Sequence, residues 1–102
     1  MTRKKQPPRA ALGDRDSAAI WAFRYCLGRQ TYVVPMCVEW LIDAWPLLDQ
    51  HAKAIIARDL KEEIQRDDAF RAADYAYKPL GWDCDRAEWL RLMAFIEGEK
   101  CS

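Results

Sequence analysis

Four cysteines, one histidine and two groups of carboxylates are the side chains in this 102-residue chain whose types could do chemistry. Cys26, Cys37, Cys84 and Cys101 form no C-x-x-C pair, and His51 is remote in sequence from all of them, so the spacing indicates no zinc site. Cys26 and Cys37 fall on apolar helical faces, where a free cysteine behaves as a small hydrophobe. Reduced thiols are expected in a chain without an apolar leader. Glu39 and Asp43 lie four residues apart, and like charges at that helical spacing repel, so they call for a cation. Arg24 or Arg29 would supply it in a clamp between the first two helices; the sharper reading is a binding site for a basic partner. A general acid/base pair would also need a cleft with a nucleophile or substrate pocket, and no glycine-rich phosphate loop or metal-ligand spacing is present. No catalytic residue, metal or cofactor is assigned, and an enzyme is not expected.

A second group of carboxylates is denser. Glu62, Glu63, Asp67, Asp68 and Asp74 outnumber the basic residues of one segment, and an aromatic-rich stretch with Tyr75, Tyr77 and Trp82 follows. Such an array can present a negative field to a basic groove, while loop aromatics make good interface anchors. These eight residues are the candidate partner-binding site. The plain alternative is a solvated helix face with internal pairing, its aromatics covering one end of a core. Opposite in sign, Arg3, Lys4, Lys5 and Arg9 cluster beside Pro7-Pro8, a basic arm able to grip phosphates.

The elements that would position these residues read as helices. Asp14, Asp16 and Ser17 supply capping oxygens and negative charge for helix 1, which should stop at Gly28. Ala18, Trp21, Ala22, Tyr25 and Cys26 form one apolar stripe, with Ile20, Phe23 and Leu27 beside it, so this helix is expected at the centre. Gln30 to Val34 alternates like a short strand, but a lone strand cannot satisfy its backbone, so an extended connector is expected. Helix 2 follows from Pro35-Met36 to about Trp45 and helix 3 from about Leu47. Asp67-Asp68, good caps and poor helix-interior residues, should end helix 3 before a short helix from Ala69 to about Tyr77, with one long helix as the alternative. Asp85-Arg86-Ala87-Glu88 matches a capping box, so the last helix should start at Asp85 and end at Gly98.

The fold expected is all-α, a compact bundle of four to five helices over residues 13–100, preceded by a disordered basic arm over residues 1–12. Apolar residues make up 51% and charged residues 31% of the chain, which is an ordinary globular composition. No apolar run is long enough to span a bilayer, so no membrane partner is expected and the cytoplasm is the default compartment. Net charge is zero from 16 basic and 16 acidic residues; setting the four arm cations aside leaves 12 against 16, a body net acidic by four. Five tryptophans are many for so small a core and point to one or two at an interface.

The segment Ala22-Phe23-Arg24-Tyr25-Cys26-Leu27-Gly28-Arg29-Gln30-Thr31-Tyr32-Val33-Val34, then Glu39-Trp40-Leu41-Ile42 and Lys53-Ala54-Ile55-Ile56-Ala57-Arg58-Asp59-Leu60, resembles a family of small phage- and prophage-borne proteins, as does the late Cys84-Asp85 and Trp89 element. The resemblance covers roughly residues 18–92 and carries no assigned reaction. It implies a mobile-element setting in a host bacterial cell. Small acidic helical proteins of that setting include anti-CRISPR and other anti-defence inhibitors, so the leading expectation is a protein that occludes a host complex such as a CRISPR effector. The alternative is a nucleic-acid-associated accessory protein that grips phosphates through Arg3, Lys4, Lys5 and Arg9 while its body forms a homodimer.

Overall fold

The computed structural model describes residues 14–28 and 33–101, with side chains as far as residue 99. Four helices account for nearly all of them: α1 (Asp14–Cys26), α2 (Val33–Ala44), α3 (Gln50–Ala72) and α4 (Asp83–Cys101), with a 3-10 turn at Trp45–Leu47. The architecture is the expected all-α bundle, and no strand occurs among the described residues. α2 packs on α1 and α4, while α3 closes the circuit by packing on the same two.

α1 has the expected limits. Gly28 adopts a φ of +88°, a left-handed conformation that only glycine enters freely. Its buried face differs from the expected stripe: Asp16, Ala19, Ile20, Phe23 and Cys26 point inward, while Trp21 and Tyr25 are 66% and 49% exposed. On a helix apolar nearly all round, periodicity could not choose the inner face. Phe23 meets Trp89 of α4 edge to face at 5.7 Å in the middle of the core, and Val38, Leu41, Ile56, Leu60 and Leu92 fill the space around them.

Several boundaries move for identifiable reasons. Val33 and Val34, expected in an extended connector, form the first turn of α2, where Val34 is fully buried; Gln30 to Tyr32 lie outside the described residues. The break at Trp45-Pro46 holds, but α3 begins at Gln50 rather than Leu47, because Asp49 caps it by accepting the His51 N–H at 2.8 Å. Asp49 in turn donates its own N–H to Asp16 Oδ1 at 3.0 Å, so a residue expected to cap α1 also anchors the start of α3. α4 begins two residues before Asp85. Trp82 occupies the N-cap position, its carbonyl accepting from Arg86 N–H at 2.9 Å, and Asp85 accepts the Trp82 N–H. The reciprocal half of a capping box is therefore present, one helical turn earlier than the Asp85/Glu88 pair suggested. Gly98 does not end α4, which continues to Cys101.

The expected clamp between α1 and α2 is also redrawn. Arg24 pairs with Asp59 of α3 at 2.9 Å, not with Glu39 or Asp43. Glu39 is taken instead by Arg91 of α4 at 3.1 Å, and Asp43 has no ion pair among the described residues. Arg29 lies outside them.

Candidate protein-binding loop

Six of the eight candidate contact residues, Asp67, Asp68, Asp74, Tyr75, Tyr77 and Trp82, lie where α3 hands over to α4 through residues 73–82, whereas Glu62 and Glu63 lie near the middle of α3. α3 runs without interruption through Asp67-Asp68, contrary to the expected break. The reason is tertiary. Asp67 is fully buried and faces the following loop: one oxygen accepts the Leu80 N–H at 2.9 Å, and the other receives Arg71 Nε and Arg86 Nη1. Arg71 extends to the Gly81 carbonyl at 2.7 Å and to Asp83 at 2.9 Å, and Arg86 to Asp68 at 2.7 Å. A carboxylate that would oppose helix formation if it bonded its own backbone is spent on bracing the loop. Burial alone would raise the Asp67 pKa, but the Leu80 amide, Arg71 and Arg86 outweigh it and hold the carboxyl below its usual range.

The helix end has a second lock. Tyr75 N–H bonds the Phe70 carbonyl and Asp74 N–H the Arg71 carbonyl, each at 3.1 Å, which is the Schellman pattern with Asp74 in the left-handed position at φ 60°. Asp tolerates that conformation better than most residues. The expected helix from Ala69 to Tyr77 is therefore replaced by the last turn of α3 and an ordered loop. Tyr75 and Tyr77 set their edges against Phe70 at 5.2 and 5.7 Å, and the Arg66 guanidinium covers the same ring at 5.3 Å. A turn closed by Gly81 N–H to the Lys78 carbonyl at 2.9 Å, with Pro79 in its second position, delivers the chain to α4.

This construction leaves Tyr75, Tyr77 and Trp82 more than half exposed on a braced loop. Trp82 borders an open cleft with Ala76, Lys78, Gly81, Asp83 and Cys84. The carboxylates fare differently. Asp67 is sealed inside and cannot touch a partner; Asp68 is held by Arg86 and Glu63 by Arg66. Glu62 and Asp74 remain exposed without an ion pair among the described residues. The acidic field read from the sequence is thus largely neutralised by three arginines, and what the site presents is chiefly aromatic. Arg3, Lys4, Lys5 and Arg9 lie outside the described residues.

Two exposed apolar features were not assigned to any site by the sequence. Trp21 and Tyr25 stack at 5.2 Å on the outer face of α1. Met36 and Trp40 line a shallow groove between α2 and α4, beside the Glu39–Arg91 pair. The number of tryptophans was the available signal: Trp45 and Trp89 are buried, whereas Trp21, Trp40 and Trp82 are exposed. Among the described residues no group of three His, Cys, Asp or Glu side chains is placed to hold a metal ion, and no helix is long and apolar enough to cross a membrane. Compared with known family models, with characterised proteins and with solved structures, the chain finds no match in any of the three.

Proposed function

We propose that this chain is a non-enzymatic protein-binding module that contacts its partner through the loop between α3 and α4. The observation that carries this reading is the braced display of Tyr75, Tyr77 and Trp82. Large aromatics on a pre-ordered loop contribute contact area while losing little conformational freedom on binding. The resemblance to phage- and prophage-borne proteins supports a finer version, in which the module comes from a mobile element and occludes a host defence complex of the CRISPR type. Since most carboxylates near the loop are already paired, this version works through aromatic contacts rather than through mimicry of a nucleic-acid backbone.

The test is capture by the tagged chain from a bacterial lysate rich in defence complexes, with and without nuclease, comparing the native chain with a Tyr77→Ala/Trp82→Ala variant. A stoichiometric protein that survives nuclease and is lost with the variant supports the module. Capture indifferent to the two substitutions, or of nucleic acid alone and lost on deleting residues 1–9, refutes it in favour of the basic arm. The finer version stands or falls separately, on whether the purified chain blocks target cleavage by the captured complex.

A further inference from the structure

Cys26 closes the last turn of α1 and Cys37 lies in the first turns of α2, and only 8% of each is exposed. Cys37 Sγ sits 3.6 Å from the carbonyl oxygen of Ala22. That carbonyl belongs to the residue one helical turn before Cys26, and side chains on a helix lean back toward its N-terminus over that turn. Both sulfurs therefore share one niche at the α1–α2 contact. Burial, and then the neighbouring Cys26 thiol, push the Cys37 thiol well above its ordinary pKa, as expected for two sulfurs crowded in an apolar setting. Cys84, by contrast, is exposed and distant in sequence.

We infer that Cys26 and Cys37 form a redox site that closes into an α1–α2 disulfide, with a low-molecular-weight disulfide as the oxidant. One cysteine, as its thiolate, attacks the small disulfide RSSR; a protein–SR mixed disulfide forms and RS⁻ leaves, taking up the proton that the cysteine gave up. The second cysteine attacks the protein-side sulfur of that mixed disulfide, forming the internal S–S bond and releasing a second RSH. Two protein thiols are oxidised and one RSSR is reduced to two RSH. Because burial favours the thiol form of Cys37, the step in which Cys37 reacts is slow near neutral pH and accelerates as pH rises. The product staples the two helices across the connection that joins them and is reopened by excess thiol.

The experiment uses the full chain carrying Cys84→Ser and Cys101→Ser, incubated with oxidised glutathione. Free thiols are then trapped with N-ethylmaleimide and the protein is digested with trypsin without reduction. Cleavage after Arg24, Arg29 and Lys53 places Cys26 and Cys37 in separate peptides, residues 25–29 and 30–53. The expected result is one cross-linked species at the summed mass less two hydrogens, formed with native helical circular dichroism, faster at higher pH and reversed by dithiothreitol. Recovery of both peptides alkylated, of glutathione adducts alone, of chain-to-chain links, or of a link that forms only in guanidinium would overturn the inference. A further Cys26→Ser substitution should abolish the species and leave Cys37 alkylatable after denaturation.

Discussion

Replacing Asp67 by alanine should be among the most damaging single changes on the polar side of this molecule. The substitution removes the acceptor of three donors and leaves the Leu80 N–H buried without a partner. Breaking a buried, hydrogen-bonded charge pair costs about 3–5 kcal/mol, a range that includes the orphaned groups left behind. Arg71 and Arg86 keep about a fifth of their side-chain surface in solvent and retain Asp83, the Gly81 carbonyl and Asp68 as partners, so the lower end applies. A loss of about 3 kcal/mol corresponds to a fall in Tm of about 15 °C for a domain of this size. Asp67→Asn keeps an acceptor for Leu80 and should lose about half as much. Chemical denaturation supplies the free energies and amide exchange at Leu80 the local readout. The sign with pH follows from the lowered pKa: the stabilisation is present above the ordinary value of 3.8 and is lost as pH falls through the folded value. The gap between native chain and Asp67→Asn should therefore be constant near neutrality and close in acid. An alanine variant within about 1 kcal/mol of the native chain, with Leu80 still protected, would refute the bracing role assigned to Asp67.

Asp85 should behave oppositely. It is buried with Oδ2 unpartnered, and burial, opposed by the Trp82 amide and assisted by Glu88, raises its pKa. Its charged form therefore weakens the fold, so Asp85→Asn should stabilise the protein at pH 7 by about 1 kcal/mol, a gain that disappears as pH falls towards 3.8 when followed by urea unfolding. The glycines offer a matched pair. Gly28→Ala should cost about 1 kcal/mol or more from its positive φ, since among the described residues a Cβ there would meet only the Pro79 carbonyl oxygen at an ordinary 3.6 Å; Gly98→Ala on α4, where a Cβ would meet nothing within 4 Å among the described residues, should gain about 0.5 kcal/mol. Equal effects of the two substitutions on the denaturation midpoint would contradict these assignments.

The sequence was most legible where a local signal and a tertiary need coincide. α1 starts at Asp14 as expected, and Gly28 ends it and Trp45-Pro46 breaks α2 because those residues act on their own backbone. It was least legible where an acidic residue answers a distant group. Asp67-Asp68 has the composition of a cap, and the Leu80 N–H, Arg71 and Arg86, the last nearly twenty residues on, make it a helix interior. Asp85 read as a cap because its partner, the Trp82 amide, belongs to a residue type rarely found at that position. Arg24 needed a carboxylate, but Asp59 on α3 was hidden among solvent-facing charges. At the candidate site the aromatics were identified from composition alone, whereas the state of the carboxylates was not, since pairing depends on which arginines the fold brings near.

The internal bracing of the α3–α4 connection has an evolutionary corollary. Its shape is fixed by Asp67, Arg71 and Arg86 and by main-chain bonds at Phe70, Leu80 and Gly81, none of which involves the side chains at its tip. Residues 75–77 and 82 can therefore be exchanged without breaking the bonds that fix the loop, at a cost of about 0.5–1.5 kcal/mol for each ring contact that Tyr75 or Tyr77 gives up with Phe70. A chain built this way can drift in what its tip recognises, or be given a new tip by grafting, while the bundle beneath stays the same.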